Sequence, residues 1–549
     1  MKIAKYFLML SIVFLLMNCD FKKEKVDLIV KNARVYTVDP TFKISESFAV
    51  KNGKFVAIGT NKEIGRKYIS SWSIDAKGNP VYPGFIDSHC HFYGYGVQLV
   101  KYADLKGTKS FDEIIGILES HAKDHLGDWI VGMGWDQNDW EVKEFPENKL
   151  LDELFPGKAV MIIRIDGHAV IANSLALEKA GIQRGTIIPG GLIEKRNDRL
   201  TGLLLDNAAD SLKNVYRSLS ITDKDRALLQ AQEQCFSVGL TSVTDAGLNY
   251  NVIKVMDALQ QNGLLKMRIY AMLNPSKENI ELVLKKGYYQ TDRLNIRSVK
   301  LYADGALGSR GALLLEPYSD DPRNYGILVT SPEEIRKYCN LAYQHNFQVN
   351  THAIGDSAIR MMLHIYSEFL KGENDLRWRI EHAQVVHEED FDLFAENNII
   401  PSIQTTHATS DMYWADKRLG TERVKNAYAY KNLLKQNNWI PNGTDFPIEN
   451  ISPIYSFYAA VFRKDLKGFP DGGYQFENAL SREEALRAMT IWAAMGSFEE
   501  DVKGSIEAGK WADFVILDGD LMTKEEKLIP EIKIIGTYIA GEEVYKISL

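Results

Sequence analysis

Between about residues 81 and 498 the chain repeats short apolar runs, each followed by an amphipathic helical stretch, and this alternation constrains the fold more than any other feature. Strand-like runs fall at residues 239–245, 267–272, 298–302, 348–352, 377–382 and 399–404. Helical patterns at 253–262, 332–345 and 387–396 lie among them. Strands separated by helices pair in parallel, and many such units in succession predict an α/β protein built on a (β/α)8 TIM-like barrel. The segment 81–497 exceeds the ~250 residues typical of that barrel. The excess is placed at about residues 100–220, where Trp129, Trp135 and Trp140 fall in a stretch read as loops and short helices inserted over the barrel mouth.

The two ends have a different texture. Residues 27–80 read as short strands, with Asn52-Gly53 as a strong hairpin signal. Strand-like runs return at 512–517, 534–539 and 544–547. Segments 27–80 and 498–549 are therefore expected to form one small composite β-sandwich. Ahead of them, Lys2 and Lys5 precede an apolar stretch at 6–17 that closes on Cys19, and residues 20–26 then form a polar linker. Residues 1–19 read as a lipoprotein-type signal peptide, with Cys19 as the lipidation site. The expected location is exported and lipid-anchored to a bacterial cell envelope; an ordinary secretory signal or an uncleaved anchor is the alternative. The other three cysteines, Cys90, Cys235 and Cys339, are scattered and read as buried free thiols. The net charge of −8 is spread over mixed acids and bases with no basic stripe, which argues against nucleic acid as a partner.

Chemistry in such a barrel gathers at the C-terminal ends of the strands. Asp87-Ser88-His89-Cys90-His91 ends one apolar run, and strand alternation points His89 and His91 the same way, with Cys90 opposed. Lys300, His352, His382 and Asp445 end or follow later runs. Paired imidazoles with carboxylate partners suit a transition-metal ion. Each residue alone has a structural alternative: His352 as a polar residue before a helix capped by Asp356, His382 as a core histidine, Asp445 as a turn residue, Lys300 as a salt-bridge partner of Asp304.

Taken together, these motifs resemble the amidohydrolase superfamily, and within it amidohydrolase family 3, the branch that includes N-substituted formamide deformylases. The matching blocks are residues 83–91, Asp166-Gly167-His168-Ala169, Val299-Lys300-Leu301-Tyr302-Ala303-Asp304-Gly305-Ala306, the His-Ala-Ile-Gly-Asp block at 352–356, residues 379–384, Gly443-Thr444-Asp445-Phe446-Pro447 and residues 503–513. The resemblance implies one or two divalent metal ions, most simply zinc. His89, His91 and Asp445 would hold the first, and a carboxylated Lys300 would bridge to a second on His352 and His382. It implies hydrolysis of a small-molecule carbon–nitrogen bond other than a peptide bond, of the N-acyl or N-formyl amide class, by metal-activated water, with Asp445 catalytic. His168, Arg310 and Trp135 are the candidate substrate-binding residues, although Arg310 suits a structural ion pair equally well and Trp135 suits core packing. A deaminase or cyclic-amide hydrolase on the same site, and a non-catalytic surface binding lipoprotein, remain as alternatives.

Overall fold

The structure, a computed structural model, describes residues 23–548 apart from 125–126, 219–223, 277–278, 280–285 and 372–373. Cys19 and the rest of the leader lie outside the described residues. Seven parallel strands stand side by side in chain order: Phe85–Cys90, Leu240–Leu248, Arg268–Leu273, Leu294–Tyr302, Gln348–Ala353, Arg379–His382 and Ile400–Ser402. They are buried along almost their whole length, as expected of a parallel sheet covered on both faces.

Residues 441–445 close the ring without forming a regular strand. On one side Ile403 N donates to Pro441 O (3.0 Å) and Gly443 N donates to Ile403 O (2.9 Å). On the other, Asp445 N donates to His89 O (2.8 Å). The buried Asp87 carboxylate clamps this seam, accepting from His89 N (3.1 Å), Thr444 N (3.1 Å) and Thr444 Oγ1 (2.6 Å). Gly443 is required here, because a Cβ would lie 2.5 Å from His89 N.

The inserted segment differs from its sequence expectation. It is a six-stranded sheet in the order Ala103–Asp104, Trp129–Trp135, Ala159–Arg164, Ala169–Ala172, Arg199–Asp206, Gly191–Arg196. Alternate side chains feed two separate cores: Val160 and Ile162 pack on one face, Met161 and Ile163 on the other. With both faces covered, the strands lose the polar–apolar alternation that would have announced them.

At the termini, Phe514–Leu517 pairs antiparallel with Pro80–Pro83, so the two ends of the chain share one six-stranded sheet. The small sheets thus take in residues 80–83 as well as 27–80. A second, four-stranded sheet packs on the first through Phe48, Phe55 and Phe514. Arg268, buried at the start of its barrel strand, grips Asp513 with two bonds (2.5 and 2.9 Å) and ties this layer to the barrel. Cys90, Cys235 and Cys339 are buried free thiols. No helix among the described residues is long and apolar enough to cross a membrane.

The seam yields a prediction. Gly443→Ala forces a Cβ against the first strand and is expected to destabilise the protein by roughly 1–3 kcal/mol, measured by denaturant unfolding. A stability unchanged from wild type would show that the seam yields freely.

Candidate active site

The strand ends bring His89, His91, Lys300, His352, His382 and Asp445 into one cluster. His89 is fully buried. Its Nδ1 lies 2.5 Å from Glu381 Oε2, and its Nε2 lies 3.3 Å from Lys300 Nζ and 3.5 Å from Asp445 Oδ1. His91 Nε2 is 3.2 Å from the same Asp445 oxygen. The His352 and His382 rings are 4.5 Å apart, and His382 is 4.9 Å from His89. Asp445 and His382 both sit at positive φ, 62° and 75°, a conformation that costs non-glycine residues energy and recurs at functional sites.

Electrostatics set the protonation of this cluster. Burial, helped by the Lys300 charge, lowers His89 to about 4. Burial also holds His352 and His382 well below the usual imidazole range, with neighbouring His168 and Lys300 adding to the shift of His352. Neutral imidazoles are the metal-binding form. Burial opposes ionisation of Glu381, but Arg379, 2.8 Å away, and His89 bring it down to about 2. Asp445 is likewise held well below the carboxylate range, its burial outweighed by bonds to His407 and His91. Burial lowers Lys300 to about 8.

These donors fit a divalent cation. With its Nδ1–H donated to Glu381, His89 turns a lone pair from Nε2 toward Asp445 Oδ1, and His91 faces the same oxygen. A positive group offsets this approach: Lys300 Nζ stands 3.3 Å from His89 Nε2, and a divalent cation would serve the same place. The ligand atoms of His89, His91 and Asp445 all lie within 4.8 Å of one another, and the two imidazole-to-carboxylate separations of 3.5 and 3.2 Å match neighbouring ligands with bonds of about 2.0–2.2 Å to one ion. Glu381–His89 also has the carboxylate–histidine form that orients metal-binding imidazoles.

The other expected residues divide. His168 arrives from the insertion, with its ring 5.0 Å from that of His352 and its Nδ1 2.7 Å from Asp206 Oδ1. Trp135 does not line the site: it is fully buried in the insertion core against Trp140 and Phe145, because its strand turns that face inward. Arg310 is not available to an anionic substrate group either, since Asp320 binds its Nε and Nη2 at 3.0 Å each. Asp304 accepts the backbone N–H groups of Leu313, Ile354 and Gly355 and forms no ion pair with Lys300. Asp356 lies inside its helix, whose N-cap is Gly355.

Sequence reasoning passed over His407 and Glu449. His407 follows the seventh strand on helix Thr405–Asp411, with Nε2 3.4 Å from Asp445 Oδ2 and Nδ1 3.2 Å from Glu449 Oε1. The strand-end rule that flagged the other histidines extends to it, because it lies just past the apolar run 399–404.

A parallel barrel with a buried histidine–carboxylate cluster at its strand ends defines the class of metal-dependent barrel hydrolases. The chain belongs to the amidohydrolase family, whose model matches residues 73–545. It is 31% identical to Protein LONG AFTER FAR-RED 3 of Arabidopsis thaliana, over 94% of this chain and 91% of that protein. It is 31% identical to the putative amidohydrolase YtcJ of Bacillus subtilis (94% and 98%) and 25% identical to the N-substituted formamide deformylase of Arthrobacter pascens (94% and 97%). Among solved structures, an uncharacterized metal-dependent hydrolase from Pyrococcus horikoshii superposes with a TM-score of 0.74 at 31% identity, covering 91% of this chain and 99% of that one.

Glu381→Gln is expected to weaken metal binding by ~10–100-fold, the usual effect of losing an orienting carboxylate. Competition of the protein with a chelator for zinc checks it; unchanged affinity would remove Glu381 from the site.

Proposed function

We propose that this protein hydrolyses a carbon–nitrogen bond outside the peptide backbone, in a small N-acyl or N-formyl amide, using a divalent metal, most simply zinc. The carrying observation is the lone-pair convergence of His89, His91 and Asp445 beside the buried Lys300. The resemblance over nearly the whole chain to an N-substituted formamide deformylase supports the substrate class.

His89, His91 and Asp445 would hold the cation, which when bound would lower the pKa of water and polarise the scissile carbonyl. Asp445, ionised and buried, takes the proton of the attacking water and returns it to the departing nitrogen. Glu381 keeps the His89 Nδ1 proton in place, so that Nε2 faces the site. His168, fixed by Asp206 with its ring 5.0 Å from that of His352, is placed to contact the carbonyl side of a substrate bound at the cluster. Burial brings Lys300 close to the neutral amine that carboxylation requires. Carboxylated, it would supply oxygen donors toward His352 and His382 for a second ion.

A panel of N-formyl and N-acyl amines, cyclic amides and aminated heterocycles, assayed with zinc-loaded protein, tests the reading. Turnover of the first group is expected, abolished by chelation and restored by zinc. Asp445→Asn should lower kcat by at least ~100-fold, the usual contribution of a general base. Turnover confined to heterocycles would shift the reading to a deaminase, and no turnover of any substrate would favour a binding protein.

The leader supports an exported protein lipid-anchored at Cys19. Cys19→Ser is then expected to move the protein from the membrane to the soluble fraction of its native host, or to leave its precursor unprocessed. An unaltered distribution and mass would overturn the anchor.

A further inference from the structure

Gln404 carries a carboxamide that the protein leaves unanswered. The residue is 1% exposed, and neither its Nε2 nor its Oε1 has a hydrogen-bond partner among the described residues. A buried amide unpaired at both ends is costly, and native proteins keep such groups where something else meets them. Hydroxyls inside the barrel, such as those of Ser242 and Ser402, also lack partners among the described residues. A hydroxyl, however, turns to suit a single water, whereas a carboxamide has a donor end and an acceptor end that need different partners.

The backbone fixes where that carboxamide stands. Gln404 is extended (φ −131°, ψ 100°), so strand alternation continues through it. Ile403 joins the core shared by Ile380 of the sixth strand and Leu433 of helix Tyr430–Asn437. Ser402 and Gln404 therefore turn the other way, toward the barrel axis. Ser402 lies opposite Glu381 in the ladder, which puts Gln404 one layer nearer the mouth. On one side is the strand end that carries His382, and on the other the closing segment that carries Asp445, joined through Gly443 N to Ile403 O. Gln404 O accepts from Tyr430 Oη (2.9 Å) and His407 N (3.2 Å), which hold this stretch in place. Gln404 is no more enclosed than the groups it stands among, since Lys300 is also 1% exposed and Asp445 5%. A substrate that reaches them reaches Gln404.

We propose that Gln404 is a substrate-binding residue whose Oε1 accepts the N–H of the amide to be cleaved, while its Nε2 donates to an acceptor on the amine-side group. This rests on the amide-hydrolase reading above and narrows its substrates to secondary amides, in which the nitrogen keeps one hydrogen. The planarity of the amide divides the roles. In a trans amide the C=O and the N–H lie on opposite edges, so a carbonyl directed at His89, His91 and Asp445 leaves its N–H facing away from them. A neutral acceptor suits that position, because a further carboxylate beside Asp445 would be repelled by it.

The best secondary amide of the substrate panel is compared with its N-methyl analogue on zinc-loaded wild type, Gln404→Leu and Gln404→Met. Both replacements keep the bulk of the side chain and remove its polar atoms. Wild type is expected to prefer the N–H compound. Both variants are expected to lose roughly 5–150-fold of that preference in kcat/KM, through a fall for the N–H compound alone, the effect of leaving one buried hydrogen-bonding group unpaired. Thermal unfolding is the second readout. The variants should melt at or above the wild-type temperature, because apolar atoms replace buried polar atoms that the protein leaves unpaired. A preference that persists in the variants would be steric in origin and would overturn the inference. So would a large fall in melting temperature, or failure of both variants to fold, since either would show that the protein itself holds the carboxamide. Wild type that turns over both compounds alike would overturn this inference and leave the amide reading standing. Wild type that turns over no secondary amide would overturn both.

Discussion

The bond from Asp445 N to His89 O is the contact on which the site depends, because it sets the last stave of the barrel against the first. The seven strands leave a gap that no regular strand fills, and residues 441–445 bridge it with backbone bonds on both sides. This closure carries the Asp445 carboxylate to the imidazoles of both His89 and His91. The geometry is held against resistance, since Asp445 adopts φ 62°. Asp87 opposes that strain by collecting two donors of Thr444 across the seam and His89 N from its own strand, and Gly443 makes room for the approach. A carboxylate buried this deeply is costly in isolation. Here it is compensated by the N–H groups it receives, and its own pKa, raised by burial to about 7, shows the residual cost.

Charge in the site is organised as chains. Arg379 holds Glu381, Glu381 holds His89, and His89 faces Asp445. Removing one member of such a buried chain leaves the next uncompensated, which typically costs ~3–5 kcal/mol. The same chain decides which imidazole nitrogen faces the cavity, so stability and reactivity are set by one set of contacts. Glu449–His407 and Asp206–His168 repeat the pattern from the seventh-strand helix and from the insertion.

The barrel was legible in the sequence because buried parallel strands and amphipathic helices leave opposite signatures at repeated spacing. His89, His91, Lys300, His352, His382 and Asp445 were legible because each ends or follows an apolar run, and the structure gathers them. The insertion was misread for a physical reason: strands such as Ala159–Arg164, covered on both faces, show no alternation, and Gly- and Asn-rich turns between them look like loop. Trp135 and Arg310 were chosen by residue type alone, and type does not reveal whether a strand face turns inward or an aspartate lies within reach. His407 was hidden because it sits on a helix after the seventh strand, beyond the strand end itself.

The division between barrel and insertion bears on substrate choice. The cation-binding groups stand on strand ends whose positions are fixed by ladder bonds, so their chemistry is the same for any carbonyl brought to them. His168 belongs instead to an inserted segment with its own two cores, which meets the barrel closely beside it. There Asp206 lies against Gly305, where a Cβ would stand 2.5 Å from its Oδ1, and against Gly311. Asp206 itself sits at φ 51°. A single methyl at Gly305 would push Asp206 away and carry His168 with it, while His89, His91 and Asp445 lie on other elements. Under the proposed function, this contact is where the insertion would adjust the position of His168 against the strand-end cluster, in keeping with the general placement of substrate choice in segments grafted onto a common barrel.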